Sequence, residues 1–359
     1  MRSRRKNAYI FAPERQSHKM RNFLIWVGSI VILLAAFTFT MNFVLNHQVL
    51  FVSEKVTVQN LPSDLENWTI LHISDLHGRE LGDGQSEIAK AISLKNYSSV
   101  VLTGDMVGAS GDVQPLLDLL AILPKDVPKF LIAGDSDPAL VDTAAHGSLS
   151  VYADWVRAAQ DAGVTVLDEP VMLTRNKSNI WFVPESLYSL DLDSMQTAYQ
   201  TQLDDLNARA ASLTPDQAAQ KRAAEYQLGK IERLRGVKKN ITVKDIQIAL
   251  THTPLTSDYV STMMQWSGKE DVFSLRHVSL VLAGHYVGGQ WRMPWGGAIY
   301  VPEYGWFPED RLITGMDYLS GVPQYISPGL SASDYYPLQP GRFYNQPTVT
   351  MITLTNTIV

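Results

Sequence analysis

Residues 68–77 read WTILHISDLH. A short apolar run, Trp68 to Ser74, stops on Asp75, and His77 follows two residues later. Four more runs end the same way: VVLT-Gly at Asp105, KFLIA-Gly at Asp135, IQIALT at His252 and VSLVLA-Gly at His285. From about residue 56 onward such runs alternate with amphipathic stretches, a pattern that predicts an α/β fold. Asp75, Asp105 and Asp135 are spaced like the repeats of βαβ units, in which right-handed crossovers bring strand ends to one edge of a sheet. A single Asp after a strand says little. Five Asp or His residues at strand ends, three of them after a Gly that lets the backbone turn sharply, point to a shared site.

The type of site follows from what the chain lacks. Zero cysteines exclude a thiolate zinc site, an iron-sulfur cluster, a cysteine nucleophile and a disulfide scaffold. Carboxylates and imidazoles without thiolates suit Mn, Fe, Zn or a mixed pair, and a carboxylate between two ions can bridge them. Such pairs make phosphoryl transfer the natural task, since they acidify water and hold phosphate oxygens. With 359 residues, 45% hydrophobic and 18% charged, the chain has ample material for a core.

These residues resemble the calcineurin-like metallophosphoesterases. Ser74-Asp75-Leu76-His77 is similar to the family's first motif, Gly104-Asp105 to its second, Thr251-His252 to its fourth, and Gly284-His285 opens its fifth. Gly288-Gly289-Gln290-Trp291-Arg292-Met293-Pro294 resembles the run that follows the fifth motif in a membrane-associated bacterial branch. The resemblance covers roughly residues 56–355 and implies two facing mixed β-sheets with helices outside. It also implies that Asp75 and His77 bind a first metal, that Asp105 bridges, and that Asp135, His252 and His285 bind a second.

Three positions depart from the family pattern. The third motif reads Gly134-Asp135-Ser136-Asp137, so a carboxylate replaces the usual amide ligand and Ser136 stands where the general-acid His is expected. A hydroxyl cannot deliver a proton near neutral pH. In the fifth motif Val287 replaces a second imidazole. The expectation is one tight metal site, a second weaker one, and no assigned proton donor. Two readings follow: a phosphoesterase for a phosphodiester, phosphoanhydride or phosphomonoester, best suited to leaving groups that need no protonation, or a pseudoenzyme that binds envelope phosphates or proteins.

Residues 23–45, FLIWVGSIVILLAAFTFTMNFVL, lie in a stretch without formal charge between Arg21 and Glu54. At about 1.5 Å per residue they reach roughly 35 Å, enough to span a bilayer core. No small-residue cleavage site follows, so the segment reads as an uncleaved signal anchor. The first 22 residues carry seven bases against Glu14, which predicts a cytoplasmic tail, a single pass and an extracytoplasmic body. That body holds 23 bases against 35 acids, a net −12, which argues against nucleic acid and leaves a phosphate-containing small molecule or a lipid-linked substrate as the expected partner.

Residues 190–240 are polar and helix-prone, with Met195, Tyr199, Leu203, Leu206 and Ala210 on one helical face. Thr214-Pro215-Asp216-Gln217 reads as a capping box opening a second helix, so a helical hairpin is expected between the third and fourth motifs. His72 shares a strand face with Ser74 and reads as a packing residue. His146 is a loop histidine that could replace the missing proton donor. The aromatic run WRMPWGGAIYVPEYGWF, residues 291–307, suits a hairpin packing its own rings, a cleft wall or a lipid-facing lip. Arg292 within it is a candidate phosphate contact.

Overall fold

Leu and Ile at consecutive positions of a five-residue strand have both faces to bury, and the architecture gives each face a partner. The computed structural model describes residues 18–142, 151–268, 271–333 and 341–357. His146 and the arginines of the extreme N-terminus lie outside the described residues. The chain falls into two units, Met1–Val44 and Leu45–Val359. The first contains nearly all of α1 (Lys19–Asn46), a helix with no buried residue that is long and apolar enough to cross a membrane.

The second unit begins with β1 (Leu50–Thr57), β2 (Thr69–Ile73), α2 (Ser86–Ile92), β3 (Ser99–Thr103), α3 (Gln114–Ile122), β4 (Lys129–Ile132), α4 (Asp154–Asp161) and β5 (Thr165–Val166). Next come β6 (Val171–Arg175), β7 (Ser178–Pro184), α5 (Leu192–Ala208), α6 (Pro215–Lys238), β8 (Ile246–Leu250), α7 (Ser257–Trp266) and β9 (Val278–Ala283). A small hairpin, β10 (Tyr300–Val301) and β11 (Gly305–Trp306), precedes β12 (Gly315–Leu319), β13 (Val322–Ile326) and β14 (Thr348–Thr355). One six-stranded sheet has the order β1-β14-β2-β3-β4-β5 and the other β12-β13-β9-β8-β7-β6. Both are mixed: β2 through β5 run parallel while β14 is antiparallel to β2, and β7, β8, β9 and β13 run parallel between antiparallel edges.

Alternation along β2 shows how the layers are stapled. Ile70 faces the core between the sheets, with Val101, Phe130, Phe182, Ile248 and Leu282. Leu71 and Ile73 face the opposite way, into the layer of α2, α3 and α4. Phe130 and Phe182 stack across the sandwich at 4.5 Å, and truncating either to Ala is expected to cost about 3–5 kcal/mol. His72 also turns inward: it is fully buried, bonds Thr103 Oγ1 at 2.8 Å and meets the Tyr325 ring edge-on. Burial pushes its pKa down to about 3, so it packs as a neutral ring.

The outer face of the second sheet is covered by α6 and α7 through Leu234, Val260 and the sheet residues Trp181, Val183 and Ala249. Thr214 and Gln217 form a reciprocal capping box at the start of α6, with Pro215 in its first turn. On α5, Leu206 is buried and Met195, Tyr199 and Leu203 are half-buried, while Ala210 lies beyond the helix end and is exposed. Asp168 accepts hydrogen bonds from Tyr152 and Tyr226, and Arg233 pairs with Glu169 at 3.0 Å, which ties α6 to the β5–β6 turn.

Candidate metal centre

The C-terminal ends of β2, β3 and β4 in one sheet meet those of β8 and β9 in the other. The five runs therefore deliver their Asp and His residues to two adjoining sheet edges rather than one. Backbone bonds stitch the edges: Asp75 N donates to Gly104 O at 3.1 Å, His77 N to Asp105 O at 2.7 Å, and Gly284 N to His252 O at 2.9 Å. Asp75, His77, Asp105 and His285 all have positive φ, from 49° to 75°. Such a concentration of left-handed non-glycine residues marks a site whose side chains are aimed at the expense of backbone comfort.

The glycines have a different role from the one their position suggests. Gly104 does turn the chain, with φ of +87°. Gly134 and Gly284 have no positive φ; there the constraint is space. A Cβ on Gly134 would lie 2.3 Å from Asp105 Oδ1, and one on Gly284 would lie 2.8 Å from Asp75 Oδ2. These two are glycines because carboxylates press against their backbone.

Among the described residues, two overlapping groups could each hold a metal ion: Asp75, Asp105 and His252, and Asp135, His252 and His285. His252 belongs to both. Its Nδ1 faces the Thr103 carbonyl at 2.8 Å, which turns Nε2 toward Asp105 Oδ2 at 3.2 Å. His285 Nδ1 lies 3.3 Å from both His252 Nε2 and Asp135 Oδ2. His77 Nε2 stands 3.6 Å from Asp105 Oδ2. Asp75 uses Oδ1 to accept from His285 N at 3.1 Å, while its Oδ2 and His77 Nε2 are buried without a hydrogen-bond partner. Buried lone pairs on a carboxylate and an imidazole, in a donor set of oxygen and nitrogen only, fit a divalent cation.

The electrostatics agree. Burial pushes the Asp75 carboxyl up, against the pull of His252 and His77. Burial also opposes charge on Asp105 and His252, but their mutual contact wins, holding Asp105 down to about 2 and pushing His252 up to about 9. The centre is therefore acidic ground in which the imidazole takes a proton when nothing else supplies positive charge.

Around this core stand the departures. Ser136 donates its backbone N–H to Asp105 Oδ1 at 2.8 Å and its hydroxyl to Oδ2 at 3.1 Å, so it orients Asp105. Val287 is fully buried in an apolar cluster with Tyr286, Ala298, Val301, Ile313 and Ile326, at φ of 42°. Arg292 does not join the cluster: its terminal nitrogens donate to Gly288 O and Asp310 Oδ2, both at 2.8 Å, bracing the loop after β9.

Two residues escaped the sequence reading. Asp137 caps three backbone amides, Val107, Gly108 and Gly134, at 2.7–3.0 Å, and so locks the β3 loop to the β4 loop. Glu303, the sole acid of the aromatic run, reaches His285 Nε2 at 3.5 Å from the turn between β10 and β11. With Glu303 on Nε2, the other nitrogen of His285 is the one turned to the cluster. A lone carboxylate in an aromatic stretch whose other charge is Arg292 was the signal available for it.

Residues 69–288 match the profile of the family described as calcineurin-like phosphoesterase. No curated protein matches the chain. Among solved structures, the phosphopantetheinyl hydrolase from Mycobacterium tuberculosis aligns over 74% of this chain and 91% of that one, at 14% identity and a TM-score of 0.36.

Proposed function

The chain belongs to the calcineurin-like phosphoesterases, and on that premise we propose that it is a membrane-anchored, extracytoplasmic, metal-dependent phosphoesterase. The observation that carries this reading is the convergence of Asp75, His77, Asp105, Asp135, His252 and His285 at the joined sheet edges, with Asp75 Oδ2 and His77 Nε2 buried and without a hydrogen-bond partner. When bound, divalent ions such as Mn, Fe or Zn supply Lewis acidity toward phosphoryl oxygens and acidify water.

The protein's own share is orientation. Asp105 is fixed by Ser136, His252 by the Thr103 carbonyl, and His285 by Glu303. Asp105, Asp135, His252 and His285 form the tighter site; Asp75, His77 and Asp105 form the weaker one, because Val287 supplies no donor and faces an apolar cluster. Asp135, with its side chain 65% exposed, marks the open side by which a phosphate enters. Ser136 holds the leaving-group position with a hydroxyl that cannot protonate an alkoxide, so the reading favours an aryl phosphodiester or a phosphoanhydride over an alkyl phosphomonoester. Arg292 supports the loop and leaves phosphate to the metal centre. The apolar α1 and the basic residues before it support an N-in anchor, which places lipid-linked or envelope phosphates within reach; the acidic body argues against nucleic acid.

A pseudoenzyme that binds phosphate without turnover is the second reading, favoured by Ser136 and Val287 together. Metal analysis of purified full-length protein, paired with cleavage of bis(p-nitrophenyl) phosphate in millimolar Mn²⁺, separates the two. The phosphoesterase reading expects close to one tightly held ion and turnover that is lost in Asp105→Asn and His285→Ala. Bound metal without turnover selects the pseudoenzyme; no bound metal removes both.

A further inference from the structure

The loop that carries Glu303 to His285 presents its other side to solvent, and that side is aromatic. Trp295 is 80% exposed, Trp306 66% and Phe307 63%. Three large exposed rings carried by one loop, which charged Glu309, Asp310 and Arg311 follow in the chain, mark an interaction surface. From Trp291 to Phe307 the formal charges are Arg292 and Glu303, and both turn inward, to Gly288 and Asp310 and to His285 respectively. Trp306 lies tilted against Tyr300 at 5.2 Å and against Phe307 at 6.2 Å, so rings of the hairpin pack on one another while Trp306 and Phe307 stay at the surface.

The occupant follows from where the chain enters the second unit. β1 is parallel to β14, and β14 is antiparallel to β2, with Leu50 beside Thr348 and His72 beside Thr350. Leu50 therefore sits at the C-terminal edge of β2, the edge that bears Asp75. Three residues, 47–49, separate it from the end of the apolar helix at Asn46, a tether of at most about 14 Å. The segment just before β14 binds both sides of this corner. Asn46 Nδ2 donates to Arg342 O at 2.7 Å, Arg292 N donates to Phe343 O at 2.8 Å, and Trp291 Nε1 donates to Gly341 O at 3.0 Å. The base of the aromatic loop and the chain's exit from the apolar helix thus share one short stretch of backbone.

We propose that Trp295, Trp306 and Phe307 form a lip that rests in the headgroup region of the bilayer holding α1, so that the metal centre opens toward that bilayer surface. The inference rests on the anchor reading of α1 given above. Trp and Phe are suited to the place: their rings favour the boundary between headgroups and acyl chains, and Trp keeps a polar N–H for water. On this arrangement the phosphate that reaches Asp135 is one carried by a membrane lipid.

The absence of cysteine makes the test clean. Single substitutions Trp295→Cys, Trp306→Cys and Phe307→Cys in the full-length chain each receive an environment-sensitive fluorophore. The labelled proteins are reconstituted in phosphatidylcholine vesicles containing nitroxide-labelled phosphatidylcholine. Leu34→Cys, at the middle of the apolar segment, and Val243→Cys, exposed just before β8 at the opposite sheet edge, serve as references. The expected result is quenching of the three lip labels by nitroxide placed near the headgroup, deep quenching of Leu34→Cys, and none of Val243→Cys. Lip labels that respond only to an aqueous quencher, while Leu34→Cys is quenched by lipid, overturn the lip and leave the anchor. A Leu34→Cys label that lipid nitroxide does not reach overturns the anchor and the lip with it.

Discussion

His252 Nε2 and Asp105 Oδ2 meet at 3.2 Å where the two sheets join, each drawn from a different sheet and each buried. The contact lets an imidazole keep its proton to about pH 9. A metal ion must displace that proton. Apparent affinity for Mn²⁺ is therefore expected to rise about tenfold per pH unit from about pH 6 to 9 and to level off above. Titration of the full-length protein across this interval, with proton release followed in parallel, checks it. An affinity that does not change with pH rejects the assignment of His252 as a ligand.

The same pair governs the metal-free protein, where the signs run in opposite directions for its two members. His252 has a raised pKa, so its contribution is complete below about 6.5 and is lost as pH rises through about 9. Asp105 has a lowered pKa, so its contribution is complete above about 3.8 and is lost as pH falls through about 2. They share one bond, worth on the order of 3 kcal/mol if counted once. His72, pushed down to about 3 by burial, works against stability as pH falls from about 6.5 toward 3. Urea unfolding in chelator should therefore show a maximum near pH 6.5, with declines on both sides. A stability that climbs steadily toward pH 9 contradicts the pairing.

Val287 and Ser136 should behave differently when the family's imidazoles are put back. Val287 faces an apolar cluster from a strained backbone, so Val287→His buries a polar ring there and is expected to cost about 2–4 kcal/mol without adding a metal ligand. Ser136 is only half-buried and points at Asp105, so Ser136→His should fold. If the phosphoesterase reading holds, Ser136→His raises cleavage of an alkyl phosphate more than that of an aryl phosphate, by ~10²-fold. Melting temperature and the ratio of the two rates read out both halves. Equal gains on the two substrates would remove the leaving-group argument.

Glu303→Gln keeps the size of the side chain but removes the charge facing His285 Nε2. Loss of such a supporting carboxylate typically costs about 10–100-fold in metal affinity. Competition with a chelator should find a loss in that range, with little change in melting temperature of the metal-free protein. An unchanged affinity assigns Glu303 to the surface of the loop alone.

The strand ends were legible because a buried parallel strand writes itself as an uninterrupted apolar run, and WTILHIS, VVLT and VSLVLA all became β2, β3 and β9. Spacing along the chain could not say that the ends belong to two sheets, since a strand that crosses to the other layer has the same local pattern. Side-chain direction was equally hidden. Arg292 reads as a phosphate contact until Asp310 is seen beside it, and Gly134 reads as a turn until the Asp105 carboxylate is found where a Cβ would stand. Asp137 and Glu303 act through partners at other strand ends or across a loop, a relation that no window of sequence contains.

Among the described residues β1 has a single neighbour, β14, and it lies far along the chain: Leu50 waits for Thr348. At synthesis rates of ~5–20 residues per second, the interval between the two is on the order of tens of seconds. Throughout it, β1 and the adjoining edge of β2 remain without their backbone partners, and open edges of this kind attract other chains. The sheet that presents Asp75 and Asp105 thus gains its first strand only when β14, far along the chain, has emerged from the ribosome.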